Sequence, residues 1–228
     1  RLISSSLVTE GVDISRVRIR AGGNARAFVG HVHGDRQFIG SRPGVRADYR
    51  LEPADFAYIA TFDHVHTSIY SDLGNALPQI AANAASLSLD VSDRWDHAYL
   101  HQVLPFVRFL FLSAAEMSES DARNLARLCL VDRPEAVILT RGSDGALGMD
   151  ANGTVIQRAL PTTVVDTMGA GDGFISGFLM AALEGGSLDS AMSMGAEYAA
   201  KACTWQGGYG HGMPWVGDAE ALRAIAAR

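Results

Sequence analysis

Between residues 64 and 158 the chain alternates short apolar runs with stretches of helical pattern, and this alternation limits what the chain can fold into. Two of the runs, Phe109–Leu112 and Val137–Leu139, contain no polar residue. Such runs are typical of parallel strands, because crossover helices cover both faces of a parallel sheet. The sequence therefore predicts an α/β fold with a mostly parallel sheet flanked by helices.

The predicted elements follow one another in a regular order. Helices are expected from Pro53, over Leu77–Ala85, Asp96–Leu104, Ser118–Leu130, about Gly171–Leu183 and about Leu188–Trp205. Strands are expected over His64–Ile69, Ser86–Val91, Arg108–Leu112, Ala136–Thr140, Ala146–Met149 and Val155–Arg158. The residues up to Gly11 have the pattern of the tail of an amphipathic helix, so we expect further chain to precede Arg1.

An alternating segment, Val17 to Ile39, predicts separate β-structure near the start of the chain. Its turn is predicted at Gly34-Asp35, which gives a β-hairpin. Because no crossover helix accompanies the hairpin, we expect about residues 17–50 to form a small β-lid on a single domain of residues 1–228. Asn24, in Gly22-Gly23-Asn24 at the entry to this β-structure, is a candidate sugar contact.

Composition excludes several classes of function. The chain is 48% hydrophobic with a net charge of −6 and has no basic run, so nucleic acid is not an expected partner. Its apolar stretches are broken well before the roughly 18 residues that a membrane span needs. Cys129 and Cys203 have no metal-ligand spacing, which favours a reducing cytoplasm. The pairs His31/His33 and His64/His66 lack a nearby third ligand, which favours structural roles.

The loop before the helix at Gly171 carries the clearest chemical signal. Gly169-Ala170-Gly171 lets the backbone approach a ligand, and the start of a helix adds free N–H groups, so the loop predicts an anion site. Asp172 beside a bound phosphate is suited to taking a proton from an attacking hydroxyl. The segment fits neither a P-loop nor a dinucleotide fingerprint. A flexible turn before an acidic helix start is the simpler alternative.

Asp166–Phe174 resembles the C-terminal signature of the ribokinase/PfkB family of sugar kinases. Three other segments resemble family landmarks in the same order: Leu89–Trp95, Phe111–Glu116 and Ile138–Ala146. The likeness runs from about Gly11 to about Gly208. It implies a ribokinase-like fold and an ATP-dependent carbohydrate kinase that phosphorylates a primary hydroxyl of a sugar or sugar-amine conjugate.

The resemblance also implies roles for individual residues. Asp172 would be the general base, and the amides of Gly169, Ala170 and Gly171 would form the anion hole. The remaining roles are Mg²⁺ binding through water for Glu116; nucleotide binding for Thr140, Gly142, Ser143, Gly145, Thr167 and Gly208; and substrate binding for Asn24, His66, Asp90, Arg94 and Asp172. Thr167 either caps the helix or contacts phosphate. Ser113 replaces the family's Asn, which changes a ligand on the metal side.

Within the family, four features are most similar to fructoselysine 6-kinases: Ala47–Tyr49, Asp63–His66, Asp90–Trp95 and Ser113. Fructoselysine is therefore the leading substrate. Another PfkB sugar or nucleoside kinase, or an inactive sugar- or nucleotide-binding relative, is the alternative.

Family members begin with a central strand and a Gly-Gly-Asn helix, both upstream of where Arg1 falls, so a molecule beginning at Arg1 is expected to have weak or no activity. A homodimer is expected through the β-lid, where Phe28 and Val32 alternate.

Overall fold

The computed structural model describes residues 2–32, 35–131, 133–208 and 210. The described residues fall into two compact units, one before Leu51 and one from Leu51 onward. The single domain expected for residues 1–228 stays a prediction.

The first unit contains helix α1 (Leu2–Thr9) and a two-stranded antiparallel sheet of β1 (Arg26–Val32) and β2 (Asp35–Arg42). The predicted hairpin is thus confirmed, with its strands starting later than expected. Gly22–Ala25 precede β1 instead of forming part of it. Gly34 of the predicted turn lies outside the described residues, as does His33.

The second unit is built on a six-stranded sheet in the order β3-β4-β5-β6-β7-β8. The strands are β3 (Val65–Ser68), β4 (Leu87–Asp90), β5 (Phe109–Ser113), β6 (Ala136–Thr140), β7 (Ala146–Asp150) and β8 (Gly153–Gln157). β3 to β6 pair in parallel, whereas β7 and β8 are antiparallel to their neighbours. The last three strands are joined by short turns, which can connect only antiparallel strands. The mostly parallel sheet predicted from sequence is confirmed.

Six helices accompany these strands in the described part of the second unit. They are α2 (Pro53–Ile59), α3 (Leu77–Asn83), α4 (His97–Val103), α5 (Glu119–Cys129), α6 (Ala170–Leu183) and α7 (Leu188–Ala202). The predicted helices and strands are confirmed with ends displaced by a few residues; the last helix, for example, ends at Ala202 and not at Trp205.

The two faces of the sheet form two separate cores. Along β5, Leu110 and Leu112 pack in one core with residues of α3, α4 and α5, while Phe109 and Phe111 pack in the other with residues of α6 and α7. This division follows from the two-residue period of a strand, which sends successive side chains to opposite faces. On β4, Leu87 and Leu89 belong to the first core, so Asp90 lies on the same face as α6.

The carboxyl ends of four parallel strands meet at one edge of the sheet. These ends are Ser68, Asp90, Ser113 and Thr140, and we call this edge the carboxyl edge. In open α/β sheets ligands bind outside the carboxyl ends of the strands. The fold therefore directs attention to this edge and to the loops that follow each strand.

Candidate active site

The segment before α6 is fastened to the segment that follows α7. Asp166 accepts hydrogen bonds from the N–H groups of Met168 and Gly207, both at 3.0 Å. Gly169 has a φ of +80°, and a Cβ at this position would overlap the carbonyl oxygen of Gly208. Only glycine satisfies both conditions. The backbones of the two segments therefore lie in close contact at the start of α6.

The first turn of α6 leaves backbone donors available. Gly169 is the N-cap residue and provides no side-chain cap. The N–H of Ala170 donates to the Thr167 carbonyl at 3.2 Å. Within the described residues, the N–H groups of Gly169, Gly171 and Asp172 donate no hydrogen bond. Exposed donors at the positive end of a helix dipole make an anion site.

Open space lies beside these donors. A Cβ added at Gly171 would meet no atom within 4 Å, so packing does not require glycine there. A Cβ at Gly177, later in the same helix, would overlap the Met194 carbonyl, so packing does require that glycine. The hydroxyl of Thr167 makes no hydrogen bond among the described residues, so Thr167 does not cap α6. The start of α6 is thus open around Gly171.

Asp172 lies in the first turn of α6 and is linked electrostatically to Asp90 at the end of β4. Asp172 reaches solvent, yet the surrounding protein removes enough water to raise the pKa of its carboxyl. Desolvation also raises the pKa of Asp90; the N–H of Ser92 opposes this shift, and the charges of Asp172 and Asp93 add to it. Desolvation and nearby like charges both disfavour the ionised form of a carboxyl. A raised pKa brings a carboxylate closer to the value useful for a base.

The turn after β6 holds the residues predicted to line the nucleotide. The Thr140 hydroxyl donates to the Leu112 carbonyl at 3.3 Å, and the Ala114 N–H donates to the Thr140 carbonyl at 2.8 Å. Gly142 and Gly145 have positive φ angles of 58° and 90° on either side of Ser143 in a tight turn. At Gly142 a Cβ would meet no atom within 4 Å. The turn therefore also exposes its backbone at the carboxyl edge.

Glu116 lies in the exposed turn that follows β5. Its carboxylate makes no hydrogen bond or ion pair with another described residue. The part of the chain that the structure describes holds no group of three His, Cys, Asp or Glu side chains that could bind a metal. Mg²⁺ usually keeps several waters and takes only one or two protein carboxylates. Glu116 fits such a water-mediated role and does not fit an all-protein metal cage.

A second cluster follows β3 and β4 at the same edge. Ser92, with a φ of 51°, donates its N–H to the Asp90 carboxylate at 2.8 Å. The Tyr70 hydroxyl donates to the Ser92 hydroxyl at 3.2 Å, and the guanidinium of Arg94 lies 5.7 Å from the centre of the Tyr70 ring. Asp90 and Arg94, two of the predicted substrate residues, are therefore brought together by Ser92 and Tyr70.

Two of the other predicted substrate residues, His66 and Asn24, lie elsewhere. His66 lies within β3, where its Nδ1 is 2.7 Å from the Ser88 hydroxyl and its ring makes an edge contact with Phe111. Burial and the neighbouring His64 lower its pKa to about 4, so the imidazole is neutral near pH 7. Asn24 belongs to the first unit. Their contact with substrate stays a prediction.

Sequence patterns missed three residues that the structure brings to the site. Asp166 belongs to the same motif as Gly169–Gly171, which we call the anion loop. Only its hydrogen bond from the N–H of Gly207, 41 positions away, shows that Asp166 joins this loop to the segment after α7. Ser92 lies in the Leu89–Trp95 landmark but had no assigned role, and Tyr70, 22 positions away, gave no signal; only the structure shows the hydrogen bond between them. Asp166 contacts the loop before α6, and Tyr70 and Ser92 contact the predicted substrate residues Arg94 and Asp90.

Comparisons with known proteins agree with this geometry. The model of the pfkB family of carbohydrate kinases matches residues 1–215. "Fructoselysine 6-kinase" of Shigella flexneri is 36% identical over 208 residues, which cover 91% of this chain and 79% of the relative. "Fructosamine kinase FrlD" of Bacillus subtilis is 35% identical over 213 residues, covering 92% of this chain and 75% of the relative.

A solved structure supports the fold. Arabidopsis thaliana ribokinase, complexed with ribose and ATP, matches with a TM-score of 0.72 at 19% identity, over 86% of this chain and 69% of the ribokinase. The fold is therefore ribokinase-like, with a mostly parallel sheet, flanking helices and a small antiparallel sheet.

The chain belongs to the pfkB family of carbohydrate kinases. It is thus a phosphotransferase with an alcohol group as acceptor, and membership implies a sugar substrate and ATP as the phosphoryl donor. Among the described residues, no helix has the length and apolar character to cross a membrane.

Proposed function

We propose that this protein transfers the γ-phosphoryl group of ATP to a primary hydroxyl of fructoselysine, giving fructoselysine 6-phosphate. The observation that carries the site assignment is the pairing of free amides at Gly169 and Gly171 with Asp172 in the same helical turn. The substrate is inferred from relatives of about 35% identity that are named fructoselysine 6-kinase and fructosamine kinase.

In this proposal Asp172 takes the proton of the sugar hydroxyl while the oxygen of that hydroxyl forms a bond to the γ-phosphorus. The bond from the γ-phosphorus to the bridging oxygen breaks, and ADP leaves with the electron pair. The free amides of the anion loop, with Ala170 holding the turn, stabilise the negative charge of the transferring group. Because Asp172 must be ionised, turnover is expected to fall as pH decreases through its raised pKa.

ATP is proposed to lie along the turn of Thr140, Gly142, Ser143 and Gly145, with Thr167 near its phosphates and Gly208 at the far side of the loop. The open backbone at Gly142 and Gly171 supports this placement. When bound, Mg²⁺ would neutralise phosphate charge, with Glu116 as its water-mediated partner. Asp90 and Arg94 are proposed to contact the substrate, as are His66 and Asn24.

The decisive experiment measures ADP release from ATP with fructoselysine, fructose, ribose and adenosine in parallel, with and without added Mg²⁺. Turnover with fructoselysine well above the other three supports the proposal. Preference for another acceptor would replace the substrate while keeping the kinase. ATP binding without turnover on any acceptor would favour an inactive relative.

We also propose that the protein acts in the cytoplasm as a homodimer formed through the β1–β2 sheet. Among the described residues this sheet has only two strands, so each strand has one edge without a strand partner. Such edges pair readily with a second copy. Sedimentation velocity across a range of protein concentrations tests this, and a monomer at micromolar concentration would contradict it.

A further inference from the structure

Arg94 is an exposed arginine whose hydrogen-bonding groups are available. Its guanidinium packs over the Tyr70 ring, and it makes no ion pair or hydrogen bond with any residue in the described ranges. An arginine carries five N–H donors in a planar fork. A cation over an aromatic ring is attracted by the ring and does not use its N–H donors for that contact. Arg94 thus contacts Tyr70 while its donors stay unoccupied by described residues.

Two carboxylates close to Arg94 in sequence make contacts with Ser92 and none with Arg94. The Asp90 carboxylate accepts the Ser92 N–H at 2.8 Å, and the Asp93 carboxylate lies 3.5 Å from the Ser92 hydroxyl. Tyr70, which supports Arg94, is in turn fixed by its hydrogen bond to Ser92. The cluster therefore presents a guanidinium that forms no ion pair with a described carboxylate, in the loop that follows Asp90 at the carboxyl edge.

We infer that Arg94, supported by Tyr70, binds the α-carboxylate of an amino acid attached to the sugar, and so selects amino-acid conjugates over simple sugars. This inference rests on the proposed function. In fructoselysine the α-carboxylate is separated from the sugar by the whole lysine side chain, so it needs a partner away from Asp172. A guanidinium binds a carboxylate through two parallel hydrogen bonds.

Charge supports the same assignment. Fructoselysine carries two ammonium groups and one carboxylate, whereas this edge carries the carboxylates of Asp90, Asp93 and Asp172 and the guanidinium of Arg94. Carboxylates are thus available for the ammonium groups, and one guanidinium for the carboxylate. Complementary charges favour the correct partner over others that lack them.

Two acceptors that differ only at the carboxylate test the inference. One is fructoselysine, and the other is the conjugate of fructose with cadaverine, which is lysine without its carboxyl group. We expect the wild-type protein to show a KM about 10- to 100-fold lower for fructoselysine, as suits a charge-assisted bidentate contact, at similar kcat. Arg94→Met should raise the KM for fructoselysine to that of the cadaverine conjugate and leave the latter unchanged.

Two further variants separate recognition from structure. Arg94→Lys keeps the charge but loses the fork, so an intermediate KM for fructoselysine is expected. Arg123→Met removes an arginine that pairs with Glu119 on α5 and should change neither KM. If Arg94→Met raised both KM values equally, or neither, Arg94 would be structural and the inference would be overturned.

Failure of the proposed function would be seen separately. If the wild-type protein phosphorylated neither conjugate but did phosphorylate fructose, ribose or adenosine, both the proposed substrate and this inference would be wrong. If it phosphorylated both conjugates with equal KM, the kinase activity on fructosamines would stand and the inference alone would be overturned.

Discussion

Helices α6 and α7 pack against one another, yet they begin in opposite ways. At the start of α7, Ser187 accepts the N–H of Ser190 at 3.2 Å, which is an ordinary N-cap. At the start of α6, Gly169 provides no side-chain cap, and the space beside Gly171 is open. Both first turns carry an aspartate, Asp172 and Asp189. The acidic first turn is thus common to both helices, and the uncapped start with free amides is what distinguishes α6, the helix proposed to bind phosphate.

The two aspartates offer the sharpest test of this comparison. Asp172→Asn should lower kcat by about 10²- to 10⁴-fold, the usual contribution of a general base, with ATP affinity largely kept. Asp189→Asn should leave kcat unchanged and cost only about 0.3–1 kcal/mol through the helix dipole. Steady-state kinetics and nucleotide titration measure both. Equal kinetics for the two variants would end the assignment of Asp172 as base.

A methyl group at Gly171 tests whether the open space beside α6 is functional. Gly171→Ala should lower kcat by about 10²-fold or more by obstructing the anion loop. Because the added Cβ meets no protein atom and alanine favours a helix, stability should stay the same or rise by up to about 1 kcal/mol.

The matched control for Gly171 is Gly177 in the same helix. Gly177→Ala places its Cβ against the Met194 backbone, so it should lower the melting temperature clearly. A Gly171→Ala protein that is as active as wild type would show that the space in front of the amides is not used in the reaction.

A substitution of Asp166 tests whether the hydrogen bonds that join the anion loop to Gly207 contribute to catalysis. Asp166→Asn keeps one carboxylate-like oxygen but loses the acceptor for either Met168 or Gly207, so we expect kcat to fall about 10-fold, in line with one hydrogen bond of a charged group. Asp150→Asn is the control, since Asp150 also accepts two backbone N–H groups, from Asn152 and Gly153, at a turn away from the site. A similar loss of kcat in both would point to general destabilisation.

Removing the ordinary cap of α7 should have the smallest effect. Ser187→Ala is expected to cost about 1 kcal/mol of stability through the lost N-cap. It should leave kcat and both KM values unchanged. Urea denaturation with parallel kinetics measures this, and a kinetic defect would mean that α7 also contributes to the site.

Much of the fold could be predicted because its signals are local. The apolar runs at Phe109–Leu112 and Ala136–Thr140 mark buried strands, and Ser118 begins α5 as a cap. The antiparallel direction of β7 and β8 follows from the short connections on either side of β7, whereas the apolar pattern of the strands alone does not show it. His66 was placed at the site by its neighbours in sequence, whereas the hydrogen bond to Ser88 on the adjacent strand holds its ring within the sheet.

By itself, the sequence determined the order of helices and strands, the glycine-rich loop and the aspartate that follows it, because these depend on residues within one or two turns of each other. The tertiary structure alone decided which distant groups meet there. It brought Asp90 within electrostatic range of Asp172, Gly208 against Gly169 and Tyr70 under Arg94. Such contacts depend on strand order and on packing across the sheet, which no local pattern of side chains records.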